Sequence, residues 1–177
     1  HRLLLHGRVN PNQPGDLEGM DELAARYKIS AWKTYTQWGP NGASGFFMDD
    51  EPGIRLIEKA RKLGIRNIAI HKGLAFGPKS YEHSTCVDIG RVAKRYPDVN
   101  FLIYHSGFVA NKTEGAYDAK RTEGIDALVT SLLENSVKPG SNVYAELGST
   151  WRLAMRDPDT AAHTIGKLVK YCGEDNV

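Results

Sequence analysis

The sequence predicts an α/β protein built on a parallel sheet. Short apolar segments alternate with amphipathic helical segments through five successive βα units. The segments after the strands are long (38–50, 72–84 and 106–122), whereas those before them are short (64–66 and 97–99). The strand segments are nearly all apolar, as expected where helices cover both sides of a strand or a barrel encloses it. Right-handed crossovers between parallel neighbours follow from this order.

Residues 2–9 (RLLLHGRV) read as the first strand, which ends at Asn10-Pro11. A helix over 16–28 follows, with Leu17, Met20, Leu23, Ala24 and Tyr27 on one stripe and Asp16 as N-cap. Residues 29–35 (ISAWKTY) form strand two, and the Gly-rich stretch 38–45 is a long loop. The next helix, 52–63, turns Ile54, Ile57, Ala60 and Leu63 inward and stops at Gly64. Strand three is 67–71 (NIAIH), followed by a loop over 72–84 and a helix over 85–95 that Tyr96-Pro97 ends. Strand four is 100–105 (NFLIYH); a polar loop leads to a helix over 125–137. Strand five is 142–146 (NVYAE), and Asp157-Pro158 opens a last helix to Tyr171, closed by Gly173.

Composition narrows the function. The 177 residues suffice for one domain, and 41% hydrophobic with 25% charged residues is globular composition. The net charge of +2 comes without any basic run, which argues against nucleic acid as the main partner. No apolar run approaches the roughly 18 residues of a membrane span. No secretory leader is legible in a chain that opens on His1. Cys86 and Cys172 lie far apart and outside any CxxC pair, so buried free thiols in a reducing compartment, by default the cytoplasm, are expected.

The functional face of parallel α/β proteins lies at the carboxyl ends of the strands. There the sequence places His6 and Arg8 on strand one, Lys33 on strand two, His71 at the end of strand three, His105 at the end of strand four and Glu146 at the end of strand five. Two imidazoles at matching positions suit a divalent transition metal such as Zn, or one of them serves as general base. Trp38, Phe76, Tyr81 and other loop aromatics are candidates to wall a substrate pocket. His83, in a loop that also holds Lys79 and Tyr81, reads as solvent-exposed or a helix-cap neighbour, and His163 as structural or surface. The phosphate loop, GxGxxG, GxSxG and HExxH signatures are absent.

These strand ends resemble a known family. NIAIHKGL (67–74) and NFLIYHSGF (100–108) look like the fifth and sixth strands of amidohydrolase-related proteins, metal-dependent hydrolases and decarboxylases on a (β/α)8 TIM barrel. ISAWKTYTQWG (29–39), VYAELGSTW (143–151) and RLLLHGRVNP (2–11) look like the fourth, seventh and third. The resemblance implies His71 as a metal ligand, and His105 as a further ligand or the catalytic general base. Lys33 falls where two-metal members carry a carboxylated lysine; in single-metal members a lysine there could bind a substrate carboxylate. Glu146 matches no universal family role and, with Lys33, Trp38 and Arg8, is a candidate substrate-binding residue. No HxH pair occurs, and the eighth-strand Asp of the family has no counterpart. Such a barrel needs at least about 200 residues. The resemblance therefore implies an internal piece holding strands three to seven, an incomplete barrel domain over 1–177.

The implied activity is a metal-dependent hydrolase or lyase acting on a small, carboxylated or aromatic substrate, with a divalent metal as cofactor; a homo-oligomer is compatible with it. The alternative is a non-catalytic five-stranded ligand-binding module or a decayed barrel scaffold. Strand order separates an arc of a barrel from a reordered open sheet.

Overall fold

In a parallel sheet each strand must return by a crossover, and the chain here does so through helices every time. The computed structural model describes residues 3–43, 45–77 and 80–177. Arg2, at the start of the predicted first strand, Ser44 in the Gly-rich loop and Lys79 lie outside them. The order is β1 (Leu5–Arg8), α1 (Asp16–Arg26), β2 (Ile29–Tyr35), α2 (Glu51–Lys62), β3 (Asn67–His71), α3 (Ile89–Arg95), β4 (Asn100–Tyr104), α4 (Gly124–Glu134), β5 (Val143–Glu146), α5 (Gly148–Ala154) and α6 (Pro158–Cys172). All pairings are parallel, and the strands lie in the order β1-β2-β3-β4-β5 with no reversal.

Strand alternation divides the sheet into two unlike faces. Trp32, Ile68, Ile70, Phe101, Ile103, Val143 and Ala145 share one face and are buried. They form one apolar cluster with Leu56 and Ile57 of α2, Val92 of α3, Leu128 of α4 and Leu168 of α6. The opposite face carries Arg8, Lys33, Tyr35, Leu102, Tyr104, Tyr144 and Glu146, which are half-buried or exposed. The expectation of strands buried on both sides therefore holds for β3, where Ala69 and His71 of this second face are buried too, and on one side only for β4 and β5. The second side is where the polar strand residues gather.

Several boundaries differ from the sequence reading. Asp16 does not cap α1: Gly15 holds that position at φ 84°, and the Asp16 carboxylate accepts the Asn10 N–H at 2.8 Å. Tyr27 leaves the apolar stripe, because the chain is extended there and the side chain is exposed. The helix predicted from residue 85 begins at Ile89, since the Asp88 carboxylate is engaged elsewhere and does not cap it. α5 has no counterpart in the prediction. Asp157 does cap α6, accepting the Thr160 N–H at 2.7 Å. Both cysteines are free and buried, and burial pushes their thiols up.

One close approach fixes the α3–α4 contact. A Cβ on Gly90 would lie 1.9 Å from the Ser131 carbonyl oxygen, and the Gly90 N–H donates to Ser131 Oγ at 2.9 Å. Gly90→Ala is expected to cost about 2–3 kcal/mol by overpacking, read as a lower urea midpoint at unchanged m-value.

The long loop after β4 is also anchored. Lys167 of α6 is buried and pairs with Glu114 of that loop and, at 2.7 Å, with Asp126 of α4. Glu114 in turn accepts the Ile125 N–H at 3.1 Å at the start of α4. This network holds the loop after β4 against α4 and α6.

Candidate functional site

Register brings the strand ends together. Tyr35, His71, Tyr104 and Glu146 form one row across β2 to β5 at their carboxyl ends. Arg8 and Lys33 are register partners on the same face, further down the strands. β4 stops at Tyr104, one residue short of the predicted end, because His105 enters a left-handed turn. His105, Ser106 and Gly107 have φ of 67°, 52° and 79°. Two consecutive non-glycine residues in this region are costly and persist only where surroundings over-determine them.

Here β5 and α5 supply that constraint. The His105 N–H donates to Glu146 Oε2 at 3.0 Å, and Ser106 Oγ donates to the Glu146 carbonyl at 3.0 Å. Thr150 Oγ1 donates to the His105 carbonyl at 3.1 Å. A Cβ on Gly148 would sit 2.1 Å from Glu146 Oε1, so glycine there makes room for the carboxylate. Glu146 is thus a positioning group for His105; its Oε2 lies 3.8 Å from His105 Nδ1, too far for a hydrogen bond.

The turn swings the His105 ring against His71. Their centroids are 4.6 Å apart in an edge arrangement. His71 Nε2 and His105 Nδ1 are both enclosed and have no hydrogen-bond partner among the described residues. Lys33 Nζ is likewise unpartnered and lies 3.5 Å from the Tyr104 ring centroid and 5.1 Å from that of Tyr35. Trp38 stacks on Tyr35 at 6.3 Å, and Tyr35 stacks on His71 at 5.0 Å. Phe76 completes the ring of aromatics, 5.8 Å from Trp38 and 5.2 Å from His71.

The electrostatics follow from burial in a basic cluster. Burial, then the His105 and Lys33 charges, push His71 down to about 4, so its imidazole is neutral at pH 7. Burial also lowers His105; the Glu146 carboxylate opposes this and Lys33 adds to it. Burial pushes the Lys33 ammonium down to about 7, against the pull of Glu146. A lysine held below its unfolded value loses native-state stability when it must charge. Wild type is therefore expected to gain stability relative to Lys33→Met as pH rises from 7 towards 10.5, with the full deficit present below 7. Urea unfolding of both proteins across that range checks the sign; a difference that does not change with pH contradicts it.

The remaining candidates divide. Arg8 and His6 are exposed on the same face as Lys33, and Arg8 forms no ion pair with a described residue. His83 is buried rather than exposed: its carbonyl accepts from Thr36 Oγ1 at 2.7 Å and from Lys72 Nζ at 3.1 Å, and its ring lies 4.7 Å from Phe47. Tyr104 escaped the sequence reading, which matched His105 with His71, because the register pairs His71 with Tyr104 instead. The Lys72–Asp88 pair, 2.9 Å apart and fully buried beneath His71, left no sequence signal.

Among the described residues no group of three or more His, Cys, Asp or Glu is placed to hold a metal ion. The His71–His105 pair offers two neutral imidazole donors with free nitrogens, which fits part of a divalent-metal coordination shell. No protein-family model matches the chain, and no curated protein matches it. No helix among the described residues is long and apolar enough to cross a membrane.

Proposed function

We propose that this chain is the catalytic arc of an amidohydrolase-related (β/α)8 barrel and acts as a metal-dependent hydrolase or decarboxylase on a small, carboxylated or aromatic substrate. The observation that carries the reading is the meeting of His71 and His105 at adjacent strand ends, each with an enclosed, unpartnered ring nitrogen. The unreversed strand order and the polar, half-buried residues of the second sheet face support the barrel arc.

His71 would hold a divalent metal, best zinc, with His105 either as a second ligand or as the general base beside it; a catalytic zinc site has three protein ligands, so further donors complete it. The bound metal would supply an activated water or a polarised carbonyl or carboxylate. The chain's own residues do the rest. His71 stays neutral at pH 7 because burial disfavours its cation, so its lone pair is free without release of a proton. His105, its backbone fixed by Glu146 and Thr150, takes or returns a proton at its ring nitrogen where it stands beside the metal rather than on it. Lys33, with Arg8 beside it in register, binds a substrate carboxylate in its charged form. Trp38 and Tyr35 shield the imidazoles from water.

Equilibrium dialysis of metal-stripped protein against Zn²⁺, joined to a screen of small carboxylates and amides for CO2 release or hydrolysis, tests the proposal. Zinc binding with turnover is expected. A folded protein that neither binds zinc nor turns over any of them fits the non-catalytic module instead.

A further inference from the structure

Beside the histidine pair lies a groove of about 740 Å³ between the loops that follow β3 and β4. Leu74, Ala75, Phe76, Tyr81, Val109 and Ala110 line it, and no described lining residue is charged. Its volume falls within the roughly 300–1,000 Å³ of small-molecule sites. Phe76 belongs to both regions: it lines the groove and packs on His71 and Trp38. At 64% exposure it is no core residue, yet it is held against two rings at the surface. Tyr81 adds one polar feature, an enclosed hydroxyl without a hydrogen-bond partner among the described residues.

We infer that this groove binds the non-reacting body of the substrate: an apolar group carrying one hydrogen-bonding atom, separated from the reacting centre by Phe76. The inference rests on the reading of His71 and His105 as that centre. The chemistry of the occupant follows from the lining. The apolar side chains of Leu74, Ala75, Phe76, Val109 and Ala110 favour an apolar body, since a polar group set against them loses its hydration. An enclosed hydroxyl favours a ligand that offers it a donor or acceptor over an isostere that does not. Remote binding of this kind positions the reacting group and is drawn on in the transition state.

The probes are indole and its carbon isostere indene, which share shape and differ in the N–H. Each is titrated by ligand-observed NMR against wild type, Ala110→Trp and Tyr81→Phe. Ala110 is exposed in a loop, so a tryptophan there fills the groove without entering the core. Wild type is expected to bind indole more tightly than indene. Ala110→Trp should weaken both by about tenfold or more, with the circular dichroism and melting of wild type. Tyr81→Phe should weaken indole by about fivefold and leave indene unchanged. No indole binding at millimolar concentration, or equal binding by wild type and Ala110→Trp, overturns the inference. The readout uses neither metal nor turnover, so a wild type that binds indole but not zinc refutes the catalytic reading and leaves the groove standing.

Discussion

Replacing His71 by alanine is expected to remove bound zinc and turnover together. His71 sits at the end of β3 with its ring held between Tyr35, Phe76 and His105, and its Nε2 is the enclosed nitrogen that no protein group satisfies. A metal ion contributes several kcal/mol of transition-state stabilisation, so turnover should fall on the order of 1,000-fold. Zinc stoichiometry by dialysis and the rate on any substrate found are measured on the same preparation. Unchanged zinc content in His71→Ala would falsify the ligand assignment. His105→Ala separates the two roles open to the second imidazole: loss of zinc marks a ligand, whereas retained zinc with lost turnover marks the proton carrier.

The largest stability effect is expected at Asp88. Lys72, the residue after His71, and Asp88 are fully buried and 2.9 Å apart. The same carboxylate accepts the Met48 N–H at 2.7 Å, and Lys72 Nζ donates to the His83 carbonyl at 3.1 Å. Lys72 also ties the sheet end through its backbone, donating to the Tyr104 carbonyl and accepting from the Gly107 N–H, both at 3.0 Å. Asp88→Ala leaves an ammonium buried without a counter-ion, a loss of about 3–5 kcal/mol. That is a large share of the roughly 5–15 kcal/mol of an ordinary domain. The double variant Lys72→Met with Asp88→Leu should recover most of it, since a buried pair replaced by apolar groups of similar volume is often neutral. Urea unfolding of the three proteins decides: a single-variant loss under about 1 kcal/mol would mean water reaches the pair.

The elements themselves were legible because their signals are local. The short apolar runs NIAIH and NFLIY, a period near 3.6 in residues 51–62, and Asp157-Pro158 at the start of α6 all act within one or two turns of chain. Their place towards the carboxyl ends of the strand runs put His71, His105 and Lys33 at one end of the sheet; register sets Lys33 and His71 on a single face, and the left-handed turn after β4 brings His105 to them. α5 was not legible: seven residues, GSTWRLA, are too few for a period to emerge, and Thr150 is held by the His105 carbonyl rather than by helix propensity.

The candidate site shows the same division. Which residues could carry chemistry was written in the chain, as histidines and a lysine at strand ends. How they act depends on contacts between distant segments. The left-handed turn that aims His105 needs Glu146, 41 positions away, and the Asp88 carboxylate that replaces a helix cap meets Met48 at a separation of 40. Propensity is summed over neighbours along the chain and is blind to such partners. Burial, by contrast, is a property of the packed molecule. It alone leaves the two ring nitrogens without partners, takes His71 down to about 4 and Lys33 to about 7, and makes four strand ends one site.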